Sequence, residues 1–482
     1  MPSEGRQILS LLRMPVSPLS LSADFYCNLT LAKVMNRRQF VSGITAAALA
    51  QQPSPRPPNF IVILSDDQGS HDLGFLGAKD LKTPHLDALA ASGMLFTNWY
   101  ANAPMCAPSR AGLLTGRYPA RAGVPHNGPN LPMEERTIAS LLRERGYATG
   151  LVGKWHLGDQ NASSPNQHGF DSFFGFHGGC VDYYSHRFYW GEPRRPNYHD
   201  LWRNGTEVFA DGEYLTTRLA AEATRFIRDH RDGPFFLFLT FSAPHYPMHA
   251  PAEYIHRFAH LPPERRTYAA MLAAMDDGVG EVRSALRELQ LESNTLVLFL
   301  ADNGATREAR AGLDGKPATT GDNGVRRGFK FSAFDGGIHV PAIASWPGVI
   351  KAGQVSEQLG SHFDVLPTIL EIAGAKPATP LDGVSLLTVL KGGALKPRAP
   401  LFWASQGQFA MRKENWKLVM NGIIADGTAE GARTLTGEDS VFLSDLRSDP
   451  GETRNLRRTN PKIVDEMMTA VEAWKREMPK EQ

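Results

Sequence analysis

The chain has 482 residues, with 51 Lys and Arg against 50 Asp and Glu, 42% hydrophobic and 21% charged residues. A net charge of +1 argues neither for nucleic acid nor for a polyanion-coating surface, and no apolar run is long enough to cross a bilayer as a helix. A chain of this length can bury a large core, organised as one big domain with a smaller one attached.

The first fifty residues read as separate from the fold. Residues 1–34 look like a mis-assigned N-terminal extension. From Met35 onward, the Arg37-Arg38 pair, Phe40, a short mildly apolar run and Ala48-Leu49-Ala50 have the layout of a twin-arginine export signal over 35–50. That layout implies delivery to the periplasm or the exterior. The Pro-rich, polar stretch 51–58 reads as a stiff linker. Removing residues 1–50 takes away five basic and two acidic residues and Cys27, leaving a slightly acidic chain with Cys106 and Cys180.

Behind the linker, short β-rich runs alternate with helical patterns, which predicts an α/β catalytic domain over 59–395 with a mainly parallel sheet flanked by helices. Four apolar runs end in reactive side chains. Phe60–Leu64 leads into Asp66 and Asp67, and Thr149–Val152 into Lys154 and His156. Phe235–Phe241 leads into His245, and Leu296–Leu300 into Asp302 and Asn303. In open α/β sheets, ligands bind outside the carboxyl ends of the strands. One Asp or Asn in such a place reads as a turn or cap residue; four such endings together point to a site.

Cys106 stands in "PMCAPSRAGLLTGR" with no second cysteine at metal or redox spacing, and by itself reads as a small buried hydrophobe. A helix-like run begins at Ala111, and a helix opening after Arg110 would add a positive dipole end. Asp66, Asp67, Asp302 and Asn303 form a hard, all-oxygen set that suits Ca²⁺, and less well Mg²⁺, rather than zinc. Three carboxylates, a divalent cation, Arg110, Lys154 and Lys330 leave a net positive pocket, suited to a sulfate or phosphate ester.

Further along, 267–291 carries Met271, Met275, Val279, Val282, Leu286 and Leu289 at three-and-four spacing, an amphipathic helix packed on the sheet. Residues 396–482 read as a C-terminal subdomain of short antiparallel strands, closed by a helix starting at Pro461. The loop 176–190, "FHGGCVDYYSHRFYW", offers aromatic faces that suit sugar rings. Asp182, Tyr183, His186 and Arg187 are its candidate substrate-reading residues, and the same composition suits a packed aromatic loop equally well.

Cys106-Ala107-Pro108-Ser109-Arg110 followed by "AGLLTGR" resembles the signature of the type I, formylglycine-dependent sulfatases, arylsulfatase-like members of the alkaline phosphatase superfamily. So do "DDQG" at 66–69, "GKWHLG" at 153–158, "APH" at 243–245, "ADNG" at 301–304 and "GFKFSAFDGGIHVPAI" at 328–343. With "DVLPTILEIAG" (364–374) and "LSDLRSDPGETRNL" (443–456), the resemblance spans about residues 57 to 478. It implies an alkaline-phosphatase-like fold and hydrolysis of sulfate esters, with a sulfated saccharide or an aryl sulfate as substrate. It also implies that a formylglycine-generating maturation enzyme oxidises Cys106. One oxygen of the hydrated aldehyde can attack sulfur and the other can then expel sulfate, which is covalent catalysis with a built-in exit.

The resemblance carries roles to individual positions. Asp66, Asp67, Asp302, Asn303 and an oxygen of the residue formed from Cys106 would hold the metal. Arg110 would hold the diol oxyanion, and Lys154 and Lys330 the sulfate oxygens. His156 would act as base, and His245, helped by Lys330, would protonate the departing alcohol. The chain departs from the family at Asp335-Gly336-Gly337-Ile338-His339, where Glu-Gly-Gly-x-Arg is usual. His339 is therefore a candidate substrate contact, and the lost fixed charge bears on specificity more than on core chemistry. Two alternatives stay open: a phosphonate monoester or phosphodiester hydrolase of the same superfamily, and a non-catalytic sulfoglycan-binding protein whose Cys106 remains a thiol. Neither a nucleic-acid partner nor an integral membrane segment is expected.

Overall fold

The structure is a computed structural model that describes residues 56–189, 197–308, 311, 318, 320–395, 397–425 and 432–479. The extension, the export signal, most of the linker and Trp190 of the aromatic loop lie outside the described residues. No helix among the described residues is long and apolar enough to cross a membrane.

Ten strands form one large sheet: β1 (Asn59–Ser65), β2 (Met94–Phe96), β3 (Ala148–Lys154), β4 (Ser172–Phe176), β5 (Trp202–Arg203), β6 (Thr206–Glu207), β7 (Phe235–Thr240), β8 (Thr295–Ala301), β9 (Ala342–Ser345) and β10 (Gln354–Ser356). Their spatial order is β10-β2-β9-β8-β1-β7-β3-β4-β5-β6. The run β8-β1-β7-β3-β4 is parallel throughout. β9 enters antiparallel between β8 and β2, and β5 and β6 continue antiparallel beyond β4. The four runs picked out in the sequence are thus neighbours with one direction. Their reactive ends emerge along one edge of the sheet.

Central strands covered on both faces read as unbroken apolar runs, because neither side chain parity meets water. In β1, Ile61 and Ile63 pack on one side with α3 (Leu215–Asp229) and α4 (Pro263–Glu288), through Leu219, Met271, Met275, Val279 and Val282. Phe60, Val62 and Leu64 pack on the other side with α2 (Cys106–Thr115) and α5 (Val365–Ile372), through Leu113, Leu114, Leu366 and Ile369. α1 (Pro84–Ala91) lies on the α4 side and contributes Leu86 and Leu89. α4 ends at Glu288, three residues before the end expected from periodicity, and Gln290 takes φ 57° just past it. Truncating Met275, fully buried against β1, would cost about 2–5 kcal/mol as transfer plus cavity energy.

The C-terminal region forms a four-stranded antiparallel meander of β11 (Leu401–Ser405), β12 (Gln408–Lys413), β13 (Trp416–Met420) and β14 (Val441–Asp445). Alternation decides what each face meets. Met411, Leu418 and Leu443 pack on α6 (Pro461–Glu477) through Val464, Met467 and Val471. Trp403, Ala410, Val419 and Phe442 face Tyr100, Phe334, Ile338 and Phe363 of the large unit. This second face brings the small sheet up to the loop that carries Lys330.

Candidate active site

Each reactive side chain comes from a short break at a strand end. β1 runs out at Ser65, and Asp67 takes φ 57°, which aims its amide at Asp302 Oδ1 (3.1 Å). The Asp66 amide donates to Ala243 O beyond β7, and the Asp302 amide donates to Ser65 O. The loops after β1, β7 and β8 are therefore laced together by backbone. β3 needs Gly153: at φ 119°, any Cβ there would lie 1.8 Å from the Thr240 carbonyl oxygen of β7. That close approach brings Lys154 in at the strand end, and His156 follows at φ 57°.

α2 begins at Cys106 itself, not after Arg110 as the sequence reading placed it. Pro108 is compatible with a first helical turn, whose amides have no intrahelical acceptor. The positive end of the helix therefore lies at the cysteine, where the Ala107 amide is satisfied by Asn127 Oδ1 (3.0 Å). Cys106 is fully buried, and burial pushes its thiol well above the usual range against the pull of Lys154 and Lys330. One ligand atom each from Asp66, Asp67, Cys106 and His245 lie within 4.8 Å of one another.

Around this cluster Lys154, Arg110 and Lys330 are each paired with carboxylates. Lys154 Nζ lies 2.5 Å from Asp66 Oδ2, and Arg110 bridges Asp302 Oδ2 (2.9 Å) and Asp66 Oδ2 (3.4 Å). Lys330 Nζ donates to Asp67 Oδ2 (2.9 Å) and lies 3.0 Å from Glu308 Oε2 and 3.4 Å from His245 Nε2. Burial opposes the Lys330 charge, yet Asp67, Cys106 and Glu308 hold it well above the ordinary lysine range. Burial pushes Asp67 up to about 7 despite Lys330. His156 and His245 are held well below the ordinary histidine range by burial and the surrounding cations. Both are neutral at pH 7. His245 Nδ1 lies 2.7 Å from the Tyr246 carbonyl, which can only accept, so Nδ1 carries the proton and Nε2 faces Lys330 as an acceptor.

The donor set fits a hard divalent cation. Asp66 Oδ1 and Asn303 Oδ1 are buried with no hydrogen-bond partner among the described residues. Asn303 spends its Nδ2 on Asp67 Oδ1 (2.8 Å) and Gly304 O (2.9 Å), so its bare oxygen is fixed as an acceptor. Bare buried carboxylate and amide oxygens are costly unless something positive meets them.

The specificity candidates are placed differently. Tyr183 is fully buried, stacks on Tyr214 and gives its hydroxyl to His245 O (2.8 Å), so it meets the site only through His245. Asp182 is spent on the Tyr184 and Ser185 amides and on His249 (3.1 Å). His186 is buried against Glu213 O, while exposed Arg187 reaches the Asn197 carbonyl. The loop is thus largely the packed aromatic loop of the alternative reading. His339 is buried on Tyr100, with Nε2 at Thr97 O (2.9 Å) and Arg326 Nη2 at 3.2 Å, and touches none of the paired carboxylates.

Two residues escaped the sequence reading. Glu308 adds a fourth carboxylate, so the pocket with a divalent cation carries a surplus of one positive charge rather than two. Asn323 accepts from the Ser70 and Ala305 amides (3.3 and 3.2 Å) and donates to Gly328 O (3.1 Å), tying together three loops of the site. Its setting, "TGDNG", reads only as a turn, and Glu308 follows no strand pattern at all.

A buried carboxylate, lysine and arginine cluster at the carboxyl edge of a parallel sheet suits an α/β-fold enzyme acting on oxyanion esters. The chain matches the sulfatase family model over residues 58–375, and the model for the C-terminal region of N-sulphoglucosamine sulphohydrolase over 330–477. It is 34% identical to N-acetylgalactosamine-6-sulfatase of Rattus norvegicus, covering 88% of this chain and 86% of that one. It is likewise 34% identical to arylsulfatase A of Homo sapiens, covering 83% of each. Among solved structures, Ps i-CgsB in complex with k-i-k-neocarrahexaose shares 31% identity at TM-score 0.77, covering 88% of this chain and 94% of that one. The PsFucS1 sulfatase from Pseudoalteromonas sp. shares 27% at TM-score 0.75, covering 89% and 92%. The protein belongs to the sulfatase family and is a sulfuric ester hydrolase.

Proposed function

We propose that the protein is an exported sulfatase that removes sulfate from a saccharide ester, with Cys106 matured to formylglycine by a dedicated enzyme and Ca²⁺ held by Asp66, Asp67, Asp302 and Asn303. The observation that carries this reading is the burial of Cys106 at the positive end of α2, within 4.8 Å of Asp66, Asp67 and His245 ligand atoms. The saccharide is supported by relatives named for N-acetylgalactosamine-6-sulfate chemistry and by the neighbour bound to neocarrahexaose. Export is supported by the Arg37-Arg38 pair and the Ala48-Leu49-Ala50 site.

When bound, the cation supplies Lewis-acid polarisation of a sulfate oxygen. Formylglycine would supply a nucleophile that can later release sulfate without a second displacement at sulfur. The chain's own side chains do the rest. Lys154 and Lys330 present ammonium groups to the non-bridging oxygens as charge builds there, and Arg110 fixes Asp66 and Asp302 while offering a guanidinium to the oxyanion. Neutral His156, depressed by burial and three cations, is a proton acceptor at pH 7. His245 and Lys330, 3.4 Å apart, hold a proton for the departing alcohol oxygen.

The test is peptide mass spectrometry across residue 106 on protein made with a formylglycine-generating enzyme, followed by sulfate release from aryl and saccharide esters. An aldehyde at 106 with sulfate release supports the reading. An unmodified thiol, with the maturation enzyme active on a control peptide, overturns it. Faster turnover of phosphonate or phosphodiester analogues by orders of magnitude would move the protein to the related hydrolases.

A further inference from the structure

Glu308 pairs with Lys330, the cation that the proposed function sets, with His245, at the departing alcohol. Its Oε2 is 3.0 Å from Lys330 Nζ and 3.2 Å from Thr306 Oγ1, and its Oε1 accepts from Tyr246 Oη at 3.2 Å. Lys330 in turn touches His245 Nε2, so Glu308, Lys330, His245 and Tyr246 form one connected cluster beside Asp67. Side-chain exposure separates Glu308 from the three ligand carboxylates. Its side chain is 15% exposed, while Asp66, Asp67 and Asp302 are at most 1% exposed. Of these four carboxylates it is the one a substrate's outer part can reach.

We infer that Glu308 selects the leaving group: resting on the saccharide-sulfatase reading, it admits a neutral sugar with a free hydroxyl beside the scissile sulfate and disfavours one carrying a second sulfate or a carboxylate there. An ionised carboxylate can only accept, so a sugar hydroxyl fits it and a second anion is repelled. Among the described residues, the two cations beside Glu308, Lys330 and Arg307, are committed. Lys330 is shared between Asp67 and Glu308, and the Arg307 guanidinium sits 3.9 Å above the Phe329 ring and donates to the Thr306 and Gly321 carbonyls. Tyr246 fixes the carboxylate, and its ring packs 4.1 Å from the His245 ring, so the selecting group is tied to the His245–Lys330 pair that holds the proton.

The test measures kcat/KM of the matured, Ca²⁺-loaded enzyme on three esters: a monosulfated disaccharide, the same disaccharide with a second sulfate on the adjacent hydroxyl, and 4-nitrophenyl sulfate. The wild type should favour the monosulfated over the disulfated sugar by about tenfold or more, and Glu308→Gln should bring that ratio down by about tenfold. Losses of equal proportion on both sugars would reduce Glu308 to a counter-ion for Lys330 and overturn the inference. If Glu308→Gln does not fold, Tyr246→Phe reads the same ratio, which should fall part of the way; an unchanged ratio counts against selection. A wild type that releases sulfate from none of the three, aryl ester included, would instead bring down the proposed function and this inference with it.

Discussion

Gln408, on the C-terminal sheet, donates its side-chain amide to the carbonyl of Phe331 at 2.7 Å. Phe331 follows Lys330 directly, sits at φ 75° and gives its own amide to Pro104 O, two residues before Cys106. Gln408 Oε1 also accepts from the Ala333 and Ile423 amides. The small sheet thus clamps a strained turn that links Lys330 to the loop before Cys106.

Gln408→Ala would take a partner from the Ala333 and Ile423 amides and from the Phe331 and Ser405 carbonyls, at a cost of about 1–3 kcal/mol for each buried group left unmet. Because the turn carries Lys330, kcat on an aryl sulfate should fall by roughly tenfold as well. Thermal unfolding and steady-state kinetics on the same preparation check both. A stability loss with kcat intact would show that the clamp holds the sheet and not the lysine.

Removing the metal should be felt in stability as well as rate. Asp66 Oδ1 and Asn303 Oδ1 are buried with no hydrogen-bond partner among the described residues, and the carboxylates of Asp66, Asp67 and Asp302 repel one another. Calcium at a hundred times its dissociation constant should stabilise the fold by about 2.7 kcal/mol, and chelation should abolish sulfate release. Asn303→Ala removes one bare oxygen and the amide that steadies Asp67, so calcium affinity should drop by about tenfold or more. An apo enzyme that melts at the same temperature with and without calcium would contradict the assignment of these oxygens.

Most of the architecture was legible because the central strands leave only one reading. Phe60–Leu64 and Leu296–Leu300 are apolar at every position, and the structure extends each run by one residue at either end, to Asn59–Ser65 and Thr295–Ala301. Residues that follow such apolar runs within four positions could be found by proximity alone: Asp66, Lys154, His156 and Asp302. Contacts made across the fold left no local trace. Gln408 sits in an ordinary strand and Asn323 in an ordinary turn, and only the folded chain brings either to the site. The aromatic loop misled for a related reason: Tyr183 and His186 look like binding residues in sequence, but packing spends them on His245 O and Glu213 O.

Stability should fall as pH rises from about 4.5 to about 7, through Glu452. This side chain is buried with Lys417 and Asp335 between the two sheets, and burial together with Asp335 pushes it up to about 7 against the pull of Lys417. Its ordinary value is 4.5, so across that window the folded state binds the proton that the unfolded state has released. Each pH unit then costs at most about 1.4 kcal/mol. Asp335 works in the opposite sense: burial resists its charge, but Lys417, His339 and Arg412 hold it below the ordinary range, and its stabilisation is lost only in stronger acid. Glu452→Gln should flatten the slope between pH 4.5 and 7 in urea titrations. The difference between variant and wild type isolates Glu452, since Asp67 titrates in the same range. Parallel curves would mean that Glu452 is ionised throughout.

Tyr183→Phe tests whether His245 is held for proton delivery. The ring stays stacked on Tyr214, 5.5 Å between centroids, so the substitution removes one hydroxyl and little packing. The buried His245 carbonyl then loses its donor at 2.8 Å, at a cost of about 1 kcal/mol. A displaced His245 matters most when the departing oxygen needs a proton. Alkyl and sugar alcohols need one, whereas an activated phenol leaves readily as the anion. The variant should therefore lose roughly three- to tenfold in kcat on a saccharide sulfate and much less on 4-nitrophenyl sulfate, with KM little changed on either. Rates falling equally on both esters would tie Tyr183 to the nucleophile side of the reaction and remove the argument that it serves His245.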